Sequence, residues 1–284
     1  MTTKGLFHHR QHHVVVAIAL TLASACGGTT QTADEPAPDP RTRYQPFAAS
    51  YEGVTHSRIE QTFNEQSDIT EIGMRYHLSV EVTESDSGLH ATLVIDSITH
   101  PIGPQVAAMG PQSDSARGAT YGGIMLSNGA LSSLTGGEDA GSLADELSSR
   151  LLSRFFPLIP DGGVELGAAW IDTIETSATL GGVDNAVRSI RQHEATEWTQ
   201  YGGQPALLIV TESDYTFSGA GVQAGQAFTL EGQGRRHSRR YITADGRFIG
   251  FVSADTAVAE AHLTEAGIKI PVHQARTDTL TISP

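Results

Sequence analysis

Between residues 74 and 82 the chain alternates apolar and polar side chains without a break. Met74, Tyr76, Leu78, Val80 and Val82 hold one set of positions, and Arg75, His77, Ser79 and Glu81 the other. A period of two belongs to a β-strand with one buried face. Asp86-Ser87-Gly88 reads as a turn into a strand over residues 91–98. Ser127-Asn128-Gly129 is a hairpin signal between strands at 121–126 and 130–134, since Asn-Gly accepts the positive φ that a tight connection needs. Tyr201-Gly202-Gly203-Gln204-Pro205 turns the chain into an apolar run at 206–210, and Asp245-Gly246 separates strands at 236–243 and 247–253. Terminal strands are expected over 257–263, 268–273 and 277–282. Strands that succeed one another without helices pair antiparallel.

One helix interrupts the series, over residues 143–156. Leu143, Leu147, Leu151 and Phe155 form its apolar stripe. Ser142 is its N-cap candidate, Asp145 and Glu146 lie in its first turn, and Arg150 and Arg154 approach the end where the dipole favours cations. Pro157 stops it. Such a stripe must pack on something, and the sheet is the large partner.

Self-comparison at a fixed offset of 115 sets residues 58–62 beside 173–177, Gly88 beside Gly203, and 91–95 beside 206–210; an offset of 117 sets Asn128-Gly129 beside Asp245-Gly246. Matches in chain order near one offset indicate two similar units, 44–135 and 164–253. The expected fold is mainly β (α+β): a curved antiparallel sheet or half-barrel built from these two units. One helix packs between them, and terminal strands follow over 256–283.

Ahead of this body the pattern changes. Residues 1–13 carry Lys4 and Arg10 and no acid, then an apolar run spans residues 14–20 and continues to Leu22. Ala23-Ser24-Ala25 and Cys26 follow. A basic start, a short apolar stretch and small residues make an export signal over 1–25, and the run is too short to cross a bilayer, which takes about 20 residues. Residues 27–42 lack bulky apolar side chains, so they cannot bury enough surface to offset their ordering entropy. Residues 26–43 therefore read as an anchor and flexible tether to a single body over 44–284.

Leu22-Ala23-Ser24-Ala25-Cys26 resembles the lipobox of bacterial lipoproteins, in which signal peptidase II cuts before a cysteine that receives acyl chains. Leu22 lies four residues before Cys26, where the common pattern has three, and Ala23-Ser24-Ala25 also satisfies the rule of signal peptidase I. The resemblance implies a lipid bilayer as partner through Cys26. Gly27, in place of Asp, implies the outer membrane by the enterobacterial sorting rule. Residues 155–170 are similar to an F-P-x-x-P…V-x-x-G-x-x-W segment of uncharacterised envelope lipoproteins, through Phe156, Pro157, Pro160, Val164, Gly167 and Trp170. This implies a shared fold and no known activity. A curved sheet with a helix behind a lipobox also looks like the half-barrel lipid carriers of bacterial envelopes.

Composition narrows the classes. The 284 residues carry a formal charge of −14, against a nucleic-acid partner, which needs a basic footprint. Losing Lys4 and Arg10 with the leader leaves 16 basic residues against 32 acidic ones, a charge of −16. A single cysteine excludes an internal disulfide framework and multi-cysteine metal sites. Neither a nucleophile elbow, a phosphate-binding loop, a zinc-protease helix nor a calcium loop occurs, and no cofactor is expected.

The remaining candidates are scattered. His77 and His193 stand at near-equivalent positions of the two units and invite the question of one shared site, against the alternative of two half-exposed strand residues. Glu212 and Asp214 share a strand face, a carboxylate pair that could divide acid and base roles or, alternatively, a solvated face. Four of the 16 basic residues cluster in Arg235-Arg236-His237-Ser238-Arg239-Arg240. On a strand, Arg235 and Arg239 face one way and Arg236 and Arg240 the other. They are candidates to grip phosphate groups or, alternatively, to pair with carboxylates on neighbouring strands. Two polar loops, 101–118 and 136–141, carry no recognisable chemistry.

The function expected is a non-enzymatic envelope lipoprotein that binds an apolar or amphiphilic ligand. A structural or protein-interaction module of the envelope, and a hydrolase with a spatially assembled site, are the alternatives. Radiolabelled palmitate should enter the wild-type chain and not the Cys26→Ala variant, which should leave the membrane pellet for the soluble fraction; label in the variant would refute the anchor.

Overall fold

The alternating pattern extends well beyond the stretches that show it most clearly, and it builds eleven strands. They are β1 (Phe47–Phe63), β2 (Gln66–Ser85), β3 (Gly88–Ile102), β4 (Thr120–Met125), β5 (Leu131–Gly136), β6 (Ala169–Leu180), β7 (Val183–Tyr201), β8 (Gln204–Gln223), β9 (Gln226–Ile242), β10 (Phe248–Leu263) and β11 (Ile268–Ile282). The computed structural model describes residues 41–63, 66–86, 88–102, 114–137, 155–180, 183–223 and 226–283, all within a compact unit spanning Pro40–Pro284. Cys26, the leader and most of the tether lie outside the described residues. So do residues 143–154 of the expected helix, 103–113 and 138–141 of the two polar loops. Phe155 and Phe156, the described end of that helix, form a bend.

All strands belong to one sheet in the order β5-β4-β3-β2-β1-β11-β10-β9-β8-β7-β6, and every pairing is antiparallel. The sheet is a curled half-barrel with almost no helix among the described residues. β1–β5 and β6–β10 cross it in the same sense, with β11 inserted between β10 and β1. The chain starts at the centre, runs to one edge, passes to the opposite edge through residues 137–168, and returns.

The hairpins form where Gly and Asn-Gly signals stand. Gly129, at φ +88°, closes the β4–β5 turn through its N–H to the Leu126 carbonyl at 2.8 Å, a conformation that strains any side chain. At the C-terminal end the structure differs from the expected strands. Residues 257–263 are the far half of β10, and the segments at 268–273 and 277–282 are one strand, β11. Polar residues on the inward positions, Ser253 and Asp255 in β10 and Gln274 and Arg276 in β11, resemble breaks between strands. They are instead the places where continuous strands cross a polar zone.

Register assigns each residue to a face. The inner face holds Met74, Tyr76, Leu78, Val80 and Val82 of β2, opposite Thr55, Gly53, Tyr51, Ala49 and Phe47 of β1. At this end of the strands the face is dry: Tyr51, Tyr76, Leu78, Ile95, Leu207, Ile209, Phe248 and Leu280 are fully or almost fully buried. The cover is the irregular segment 155–168 ahead of β6, which inserts Phe155, Phe156, Ile159 and Val164 into the core. Phe155 meets Tyr51 and Phe248 edge to face, with centroids 5.3 Å away in each case.

An irregular segment must find partners for its backbone, and this one draws them from several strands. The Phe155 carbonyl accepts from Arg240 Nη1 at 3.0 Å, the Pro157 carbonyl from the Tyr44 hydroxyl at 2.6 Å, and the Leu158 carbonyl from Trp170 Nε1 at 3.1 Å. The Ile159 N–H donates to the Asn128 carbonyl at 2.9 Å. Thr42, inside the expected tether, is buried and pairs with Val164, so the ordered body begins before residue 44. Phe155→Ala removes the ring at the centre of this cover. It should lower the unfolding free energy by about 3–5 kcal/mol, read as a reduced urea midpoint with far-UV circular dichroism unchanged before the transition.

Candidate functional site

Past the dry core, the inner face becomes charged. One register row crosses seven strands: Asp172 of β6, Arg191 of β7, Ser213 of β8, Arg236 of β9, Asp255 of β10, Arg276 of β11 and Ser57 of β1. The neighbouring row towards the core carries Trp170, His193, Thr211, Ser238, Ser253, Asp278 and Thr55. Residues directly opposite one another in an antiparallel pair project to the same side, so these side chains meet.

The charges are paired, as burial requires. Arg191 grips Asp172 through two bonds of 2.6 Å. Arg276 binds Asp278 at 2.7 and 2.9 Å, and the same carboxylate accepts the Thr55 hydroxyl at 2.7 Å. Asp278 thus ties β1 to β11. Arg236 bonds to Asp255, which also accepts the Tyr215 hydroxyl at 2.5 Å.

His193 lies at the margin of the row, buried and stacked on Trp170 at 5.0 Å with the ring planes 8° apart. Its Nδ1 is 2.9 Å from the Thr211 hydroxyl and its Nε2 3.3 Å from Asp172 Oδ2. Burial lowers the imidazole pKa and outweighs the aspartate beside it. In the neutral ring with its proton on Nε2, Thr211 donates to Nδ1, while Nε2 is buried beside Asp172 without a hydrogen bond. Asp172 resolves in the opposite sense. Burial raises its carboxyl, but His193 and Arg191 together hold it at about 2.

Farther along the strands the inner face turns apolar again. The rows hold Ser189, Gln274, Thr176, Gln61 and Asn185 and, with them, apolar side chains: Ile174, Tyr215 and Ile59 follow the charged row; Val187, Phe217, Ala259 and Val272 come next; Leu230, Ala261 and Ile270 lie beyond. These apolar side chains are half-buried, whereas the core is closed. Tyr215 stands directly across from Gly234 and Phe217 from Gly232. A Cβ on either glycine would lie 2.3 Å from the facing ring. Glycine here lets the two rings lie against the β9 backbone and pave a floor, a close approach that no other residue permits.

The opposite face is charged. Glu175, Arg188, Glu212, Asp214, Arg235, Glu260 and Lys269 are exposed there, with ion pairs Arg188–Glu175 at 3.0 Å, Arg235–Asp214 at 3.0 Å and Lys269–Glu260 at 2.6 Å. An open groove of about 1010 Å³ crosses β6–β10 at this level, lined by residues of both faces, Glu175, Arg188, Glu231 and Glu260 as well as Val187, Phe217 and Ala259.

The sequence candidates separate accordingly. Arg235 and Arg239 point outward and are exposed, while Arg236 enters the charged row. Arg240 is buried against the Phe251 ring, 5.1 Å from its centroid, and holds the Phe155 carbonyl. Burial and the nearby Arg191 and Arg236 charges lower it to about 9, still protonated at neutral pH. Glu212 pairs with His237 at 2.5 Å on the outer face. His77 lies half-exposed on the outer face of β2 and His193 is buried on the inner face of β7. They form no shared site, and His193 is not a half-exposed residue. The one-position difference between their equivalent places puts the rings on opposite sides of the sheet. Asp255, Arg276 and Asp278 escaped the sequence reading altogether. Their signal was charge at alternate positions on strands otherwise apolar.

No protein-family model and no curated protein sequence matches the chain. Among solved structures, it is similar to Pseudomonas aeruginosa OccK2, with 7% identity, 84% of this chain and 98% of that chain covered, and a TM-score of 0.30. Vibrio cholerae OmpT, an outer membrane protein, shares 8% identity over 84% of this chain and 99% of that one, with a TM-score of 0.16. A lipoprotein-sorting protein domain from Vibrio parahaemolyticus shares 7% over 82% and 83%, with a TM-score of 0.13. Scores this low identify no common architecture, so the polarity of the two faces has to decide. A membrane-spanning barrel turns apolar residues outward and polar ones inward; here the outer wall mixes charged residues with exposed Ile171, Ile190, Val252 and Val258, and the inner one is apolar on both sides of a polar zone.

The row makes stability depend on pH in a defined sense. Asp172 is held below its ordinary value of 3.8, so its contribution, about 2 kcal/mol, is complete above pH 4 and lost as the pH falls to about 2. His193 is lowered from 6.5, so protonation favours the unfolded chain and stability also declines below that pH. Asp172→Asn should abolish the lower step while keeping a decline below pH 6.5, measured by urea unfolding across a pH series.

Proposed function

We propose that the protein is a bacterial envelope lipoprotein, held at a membrane by acyl chains on Cys26, that binds an amphiphilic ligand on the inner face of its sheet and catalyses no reaction. The observation that carries this reading is the apolar floor around Phe217. It continues past the charged row as part-exposed apolar surface on the side of the sheet that elsewhere forms the core. Soluble sheets bury one face and wet the other. A face that is apolar and still accessible marks a place for an apolar ligand. The rings over Gly232 and Gly234 give that floor a stiff surface, and the polar row beside it suits the head of an amphiphile.

A second reading, a protein-interaction module, draws on β6. Among the described residues this strand ends the sheet, and Ile171 on it is 69% exposed. An open edge of this kind accepts a strand from another chain. Cross-linking in intact cells distinguishes the two, since the module requires a stoichiometric protein partner.

The Cys26→Ala variant, produced in an envelope-bearing host so that its own acyl chains do not contribute, should carry co-purified lipid at near one equivalent by mass spectrometry of an organic extract. Ala259→Glu, which sets a charge into the floor, should remove it. An extract that matches the detergent blank refutes the ligand-binding reading.

A further inference from the structure

The three arginines of the charged row are not equivalent. Arg191 and Arg276 each engage one aspartate through both Nε and Nη2. Arg236 reaches Asp255 through Nη2, and that carboxylate is shared with the Tyr215 hydroxyl. Its Nε is buried with no acceptor, although its side chain keeps 20% of its surface. A guanidinium has five N–H donors in a plane, a geometry that fits two oxygens of one phosphate or carboxylate.

Position adds to this. The Arg236 guanidinium lies 5.9 Å from the centroid of Tyr215, the ring that begins the apolar floor. A cation with unused donors therefore stands at the junction of charged row and apolar surface.

The floor is also long enough. From Tyr215 to Gly221 the strand advances about 20 Å at roughly 3.4 Å per residue, more than the roughly 15 Å of hydrocarbon in one bilayer leaflet. A chain laid from the junction along Phe217 runs over Val187, Ala259, Leu230 and Ala261, with Ser189 and Asn185 at its margin.

Building on the amphiphile-binding reading above, we infer that the ligand is an anionic phospholipid, its phosphate held by Arg236 at the edge of the charged row and an acyl chain laid along Val187, Phe217 and Ala259. Arg236 is the head-group determinant, and the aromatic floor captures the chain whatever the head.

The test uses the full chain in nonionic detergent, captured on a resin and equilibrated with micelles containing phosphatidylglycerol or phosphatidylcholine of identical acyl chains. Bound phospholipid is counted by mass spectrometry. The wild-type chain should retain phosphatidylglycerol roughly tenfold over phosphatidylcholine. Arg236→Gln should bring the two lipids close to parity with chain capture maintained. Because that change strands Asp255, the pair Arg236→Gln/Asp255→Asn is measured beside it, with its melting curve confirming the fold, and should show the same parity. Equal retention of both lipids by the wild-type chain, or a preference that survives in the double variant, overturns the head-group inference and leaves the amphiphile site standing. Retention of neither lipid by the wild-type chain overturns the amphiphile site itself.

Discussion

Antiparallel pairing of β1 with β11, from Tyr51↔Ile282 to Gln61↔Val272, joins two halves of a sheet that otherwise meet through the irregular segment covering the core. Both strands lie at the centre, although they are the first and last of the fold. Side chains reinforce the seam at each level. The Tyr51 hydroxyl donates to the Phe248 carbonyl at 2.6 Å inside the dry core, and Asp278 collects Thr55, Ser253 and Arg276 in the polar zone. Closing contacts between chain ends costs loop entropy before it yields anything. The burial of Tyr51, Tyr76 and Leu280 on one side of the seam offsets that cost.

Three layers then succeed one another along the strands. The covered core supplies the stability. The charged row contributes little net energy, because desolvating its ions cancels much of their attraction, but it restricts which register is acceptable. A slip by one residue would bury Glu212 or Asp214 and expose Arg236 with Asp255. The apolar floor beyond the row serves neither role, since its side chains stay accessible. A sheet needing only to fold would end its apolar face where the cover ends.

The same layering explains how the sequence reads. The alternation at 74–82, the Asn128-Gly129 and Asp245-Gly246 turns and the apolar run at 206–210 fall where they were expected, because each depends on residues close together in the chain. The facing of the arginine cluster was equally accessible: Arg235 and Arg239 outward, Arg236 and Arg240 inward. The ends of β10 and β11 were obscured because Asp255 and Arg276 look like solvent-facing residues in a one-dimensional pattern. His77 and His193 show the limit of self-comparison. An offset uncertain by one position leaves the strand assignment intact and reverses the face.

What the sequence alone determined is therefore local: strand periodicity, hairpin positions and the antiparallel class. Tertiary structure alone decided that Asp172, Arg191, Arg236, Asp255 and Arg276 stand in one row, and that Arg236 borders an apolar floor while Arg240 supports the core cover. Those relations depend on the register of pairings between strands distant in the chain. Register is set by the summed fit of whole strand faces, a quantity that no short stretch of sequence contains.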